Sequence, residues 1–245
     1  MKPDQKLDEF VSRFRAAAGA NLESIILYGS AASGEFQPKF SNLNLFCVLG
    51  VCSLGALRAL APAAKWWDRQ RQPPPLLMTR KELERSIDVF PIEMMDMVEH
   101  YRVLFGADVL QGVQIPRHLH RIQVEYELRE KLLLLRQQLL LVSGRKSRSW
   151  DLLLRSAPSF LTLFRHSLIA LGETPPTQKR DAVLALARRA AFDPSAIIRV
   201  LDIREHKIDR RDMDLDEVCA GYLAAVEQVA DFVDKMLDSD KLSSS

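Results

Sequence analysis

The stretch Leu27–Leu49, LYGSAASGEFQPKFSNLNLFCVL, decides how this chain is read. An apolar run ends at Tyr28 and delivers Gly29-Ser30, a dipeptide suited to a tight turn with close backbone approach. A short helix starting at Ala31 would aim free N–H groups at an anion. Twelve residues after Ser30, Asn42-Leu43-Asn44 leads into the apolar segment Leu45-Phe46-Cys47-Val48-Leu49. Residues two apart on a strand share a face, so Asn42 and Asn44 project together, toward the Gly-Ser turn if the two strands pair. The stretch predicts strand, turn, short helix, polar loop and strand.

Working outward, Leu7, Phe10, Val11 and Phe14 recur at helical spacing and predict an opening helix over residues 4–18. Ile25-Ile26-Leu27 is the short β-branched run of a buried strand. After the second strand, Ser53 caps a helix expected to end near Pro62, with Lys65–Gln70 extending it or beginning a new turn. Trp66-Trp67 beside Arg69 and Arg71 suits packing between sheet and bundle, or stacking on a base. Pro73-Pro74-Pro75 halts any helix, and Leu76-Leu77-Met78 reads as a third, edge strand. Thr79-Arg80-Lys81-Glu82 fits a capping box for a short helix. Residues 90–97, FPIEMMDM, read as a fourth strand, on which Glu93 and Asp96 have opposite parity.

Composition changes near Pro116, and from there no strand pattern competes. One long helix is expected over 116–143, with Val124, Leu128, Leu132, Leu135 and Leu139 on one face. Leu133, Leu134, Leu140 and Leu141 add a second apolar stripe, read as burial on a further side or as the interface of a homodimer. Glu125–Arg129 and Glu127–Lys131 are helix-stabilising pairs, which makes a solvated face the ordinary reading of this basic helix. Further helices are expected over 148–171, 177–191, 194–206 and 215–237. The chain thus reads as α+β: a mixed sheet with helices over 1–115, followed by an all-helical bundle over 116–240.

Bulk properties narrow the function. A net charge of +2 gives no case for general nucleic-acid binding. The three cysteines, Cys47, Cys52 and Cys219, form no CxxC pair, and Cys47 sits within an expected core strand. The start, MKPDQKLDEF, lacks the apolar run of a signal peptide, and no apolar run reaches membrane-spanning length. A cytoplasmic protein without membrane association is expected. His118 and His120, two apart on a helix, point in different directions and are expected at the surface. His166 has no recognisable carboxylate or thiolate partner at ligand spacing.

Tyr28-Gly29-Ser30 followed by Ser41-Asn42-Leu43-Asn44-Leu45 resembles the signature of the DNA polymerase beta nucleotidyltransferase superfamily. In that signature Gly-Ser precedes two carboxylates one residue apart. Pro91-Ile92-Glu93 resembles the Pro-apolar-Glu of aminoglycoside adenylyltransferases, and Arg102–Leu110 resembles the stretch that closes their first domain. The resemblance covers roughly residues 25–110. It implies transfer of a nucleoside monophosphate, most simply AMP from ATP, to a hydroxyl on a small molecule or protein, with Mg2+. It places Gly29 and Ser30 on the triphosphate, Asn42 and Asn44 at the metal-ligand positions, and Glu93, preferred over Asp96, as the base.

The departure is chemical, because both ligand positions carry asparagine. An amide offers a neutral carbonyl oxygen, whereas magnesium is held by carboxylates together with substrate phosphates. A unit charge about 4 Å from a divalent ion, at an effective dielectric near 20, contributes roughly 8 kcal/mol before desolvation. Losing two such charges predicts metal binding weakened by several powers of ten. The alternative to a working transferase is therefore a relative that binds nucleotide, or a partner, without catalysis. In a purely local reading, the asparagines satisfy turn and strand-edge backbone groups.

Overall fold

In the computed structural model, residues 2–32 and 42–243 are described, with Ser30 and 237–243 as backbone alone. Of the short helix expected from Ala31, the described residues contain only the Gly29–Ala31 3₁₀ turn and Ala32; residues 33–41, with the polar loop, lie outside the described residues. The chain divides into two compact units, Met1–Pro116 and Arg117–Ser245.

The first unit is built on a four-stranded mixed sheet. Its strands are β1 (Leu22–Tyr28), β2 (Asn44–Leu49), β3 (Leu76–Thr79) and β4 (Tyr101–Gly106), in the order β3-β2-β1-β4. β1 lies antiparallel to both β2 and β4, while β2 and β3 run parallel, with Phe46 opposite Leu76 and Leu49 opposite Thr79. Alternation along the central strands sends side chains to two cores, one on each face. Ile25, Leu27, Leu45, Cys47 and Leu49 pack with Phe10, Phe14 and Trp67 from helices α1 (Pro3–Ala18) and α2 (Leu54–Arg69). Ile26, Phe46 and Val48 pack with Leu83, Met94 and Met97 from α3 (Arg80–Ser86) and α4 (Pro91–Glu99). Burial pushes the Cys47 thiol well above its ordinary value, so it stays a neutral core group.

Two expectations are corrected here. Residues 90–97 are not a strand: Pro91 opens α4 at the first helical position, where a missing N–H costs nothing. Glu93 falls in the first turn of α4, where a carboxylate suits the helix dipole. Opposite strand parity therefore no longer separates it from Asp96, since residues three apart are neighbours on a helix. The fourth strand comes later, at β4, within the stretch read as closing the domain. Pro62 does not end its helix either, because α2 runs through it to Arg69. Burial of Leu60, Ala63 and Trp67 along one face offsets the lost backbone hydrogen bond.

Trp67 is a core side chain of the first unit rather than a sheet-to-bundle spacer. Its ring centroid lies 4.8 Å from that of Phe10, and its indole N–H has no hydrogen-bond partner among the described residues. Trp66 sits beneath the Arg13 guanidinium, 4.7 Å from the ring centroid. The Thr79 capping box forms as expected, with Glu82 accepting from the Thr79 N–H at 2.7 Å. That backbone hydrogen bond, and then the Thr79 side chain, hold the Glu82 carboxyl below its usual range.

The second unit is helical throughout its regular structure: α5 (Arg117–Val142), α6 (Lys146–Ala170), α7 (Lys179–Ala190), α8 (Ser195–Arg204) and α9 (Leu215–Ser243). α5 packs on α6 and α9, and Arg129–Asp234 at 2.8 Å with Arg136–Glu227 at 2.7 Å tie α5 to an antiparallel α9. Both expected pairs within α5 form, Arg129–Glu125 at 3.0 Å and Lys131–Glu127 at 2.6 Å. His120 is not at the surface. It is buried, with its Nε2 2.9 Å from His166 Nδ1 on α6. His166, read only as lacking a carboxylate or thiolate partner at ligand spacing, is half of a buried imidazole pair joined across 46 residues of sequence.

Candidate functional site

The candidate site forms where the central strands end. Tyr28 closes β1, and Gly29–Ala31 continues as a single 3₁₀ turn. Gly29 has φ of +76°, which favours glycine, and its N–H donates to the His100 carbonyl at 3.0 Å. The Gly29 carbonyl accepts from the Ala32 N–H at 2.8 Å, closing the turn.

Asn44 opens β2 directly opposite Tyr28. A Cβ added to Gly29 would come 3.4 Å from Asn44 Nδ2, so the side-chain amide lies against the turn. Asn44 also shares parity with Phe46 and Val48, which puts it on the sheet face covered by α4. Asn42 is exposed just ahead of the strand, while Leu43 between the two is buried on the opposite, α1–α2 face. α4, which carries Glu93 in its first turn, packs against both β1 and the Gly29–Ala31 turn. Glu93 itself is exposed. Burial raises the Tyr28 phenol above its ordinary value, leaving a neutral hydroxyl at the site's edge.

Two positioning groups escape a sequence reading. Gln72 Oε1 accepts from the Leu43 N–H at 2.7 Å, fixing the main chain between Asn42 and Asn44. The His100 carbonyl holds the turn from the end of α4. Neither has a signature, since one is an amide after a proline-free turn and the other a main-chain oxygen. Gln72→Ala is expected to cost about 1 kcal/mol, the usual value of a lost hydrogen bond, measurable as a shift in the urea midpoint at unchanged slope. Gly29→Ala is expected to cost about 1–2 kcal/mol through the left-handed φ and the neighbouring Asn44 amide, by the same measurement.

The donor set does not suit a two-metal centre. Positions 42 and 44 supply neutral amides, and no group of three His, Cys, Asp or Glu side chains able to hold a metal occurs among the described residues.

No family model and no curated protein sequence matches the chain. Among solved structures, the spectinomycin adenyltransferase AAD(9) from Enterococcus faecialis, determined with ATP and spectinomycin, matches at a TM-score of 0.60 and 12% sequence identity. The match covers 95% of this chain and 100% of that one. The chain shares the fold of that structure. At this identity the likeness concerns architecture: a mixed sheet with helices, then a helical region, over nearly the whole length. No described helix is long and apolar enough to cross a membrane.

Proposed function

We propose that the protein is a nucleotide-binding member of the nucleotidyltransferase fold that holds a nucleoside triphosphate, most simply ATP, without efficient two-metal transfer. The supporting observation is the Asn44 amide placed against the Gly29 turn, at a position where the resembled superfamily carries a carboxylate. In this reading the Gly29–Ser30 turn contacts the phosphates. The amide groups of Asn42 and Asn44 supply polar contacts that add no negative charge beside the triphosphate. Binding is then weakly dependent on magnesium, because no protein carboxylate pair requires a cation to neutralise it.

A second reading retains transfer, favoured by the packing of α4 against the turn. The hydroxyl oxygen of a small-molecule or protein acceptor attacks the α-phosphorus, the bond to pyrophosphate breaks, and the hydroxyl proton passes to the Glu93 carboxylate. Calorimetric titration with ATP, with and without magnesium, tests the first reading. Heat in both titrations supports it, and no heat at millimolar nucleotide in either one sinks it. Mass spectrometry after incubation with ATP and hydroxyl-bearing acceptors separates the two: an adduct of one AMP that disappears in Glu93→Gln favours transfer.

A further inference from the structure

The second apolar stripe of α5 is not buried within the chain. Tyr126 is 62% exposed, Leu133 56%, Leu134 48%, Leu140 79% and Leu141 70%. At 3.6 residues per turn this group is centred about 180° around the helix from the buried line Val124, Leu128, Leu132 and Leu135. It exposes on the order of 600 Å² of mostly apolar surface, at the upper limit of the largest patch on an ordinary monomer. Interface cores are roughly two-thirds apolar, so a patch of this size suits an interface of about 900 Å² per subunit. Twice that area falls within the range of stable, specific complexes.

We propose that α5 pairs antiparallel with α5 of a second copy of this chain, about a two-fold axis midway between Leu133 and Leu134. Around that midpoint the central positions match in kind, while Leu140 falls level with Glu127. Leu133 meets Leu134 of the second copy, Tyr126 meets Leu141, and Glu130 meets Gln137, each contact occurring twice as an isologous interface requires. A parallel pairing would set Glu130 against Glu130, a like-charge contact, whereas the antiparallel one gives each carboxylate an amide donor. The flanking cations Arg129 and Arg136 are engaged by Asp234 and Glu227 of their own chain, so the seam carries no excess positive charge from them.

Sedimentation equilibrium of the full chain between about 1 and 100 µM tests the pairing. A reversible dimer is expected, and Leu133→Glu with Leu141→Glu should raise its dissociation constant at least about 100-fold. Both positions are exposed, so the far-UV circular dichroism should be unchanged. Gln137→Glu should weaken the dimer about tenfold by facing Glu130, and adding Glu130→Lys should restore it. A monomer at every concentration overturns the proposal and assigns the face to a different partner. A dimer indifferent to the glutamates at 133 and 141 overturns it as well. Failure of Glu130→Lys to rescue Gln137→Glu overturns the antiparallel register.

Discussion

Gly106→Ala is expected to destabilise the first unit by at least about 3 kcal/mol, enough to lower the melting midpoint of a chain this long by roughly 10 °C. Gly106 ends β4 opposite Ser24, with φ of +78°. A Cβ there would lie 1.9 Å from the Glu23 carbonyl oxygen and 2.9 Å from its carbon. The clash is with main chain in a paired strand, so it cannot be relieved by rotating a side chain. The same corner is fixed by Ser24, whose hydroxyl donates to the Ala107 carbonyl at 2.7 Å, and by the Ala107 N–H on the Glu23 carbonyl at 3.3 Å. Gly106→Asn separates the two causes, because asparagine tolerates a left-handed φ but still carries the Cβ. It should lose nearly as much stability as Gly106→Ala in differential scanning calorimetry. A loss below about 1 kcal/mol in both variants would mean that β4 does not pair with β1 in this register.

The legibility of the first unit varies with the physics of each segment. β1 and β2 were readable because β-branched and aromatic residues are packed on both sheet faces, and Gly29 punctuates them. The capping box at Thr79 was readable because all its partners lie within four residues. At α4 the local sequence carries two signals: Phe90-Pro91-Ile92 resembles an edge strand, while proline at the first helical position with a following glutamate favours the helix that forms. Local propensity stops the helix at Pro62, and it says nothing of the burial that Trp67 brings from the next turn and a half. The His120–His166 pair and the Gln72 contact to Leu43 were not legible at all, since each joins distant residues without a spacing rule. In the site, the positions of Gly29 and Asn44 follow from strand pairing. The chemistry of that position follows from one atom per side chain, nitrogen in place of oxygen.

That single-atom difference sets the other large effect. Asn42→Asp with Asn44→Asp is expected to tighten Mn2+ binding in the presence of ATP by at least about 100-fold over the starting protein, which should hold no more metal than the nucleotide brings. Two carboxylates flanking Leu43 would repel one another without a cation, so the metal-free double variant should melt below the parent and recover on adding Mn2+. The recovery follows from linkage: metal at about 100 times its dissociation constant adds roughly 2.7 kcal/mol to the folded state. Single variants should show less than half the effect, because one carboxylate neither repels a neighbour nor chelates with it. Manganese titration by electron paramagnetic resonance reads the affinity, and a thermal melt with and without metal reads the coupling. If the double variant gains no affinity, Asn44 faces the turn for a structural reason and the resemblance to a metal-bearing site stops at the backbone. If affinity rises without AMP transfer to any acceptor, the cation position is restored and the missing element lies elsewhere, with Glu93 on α4 the first group to change.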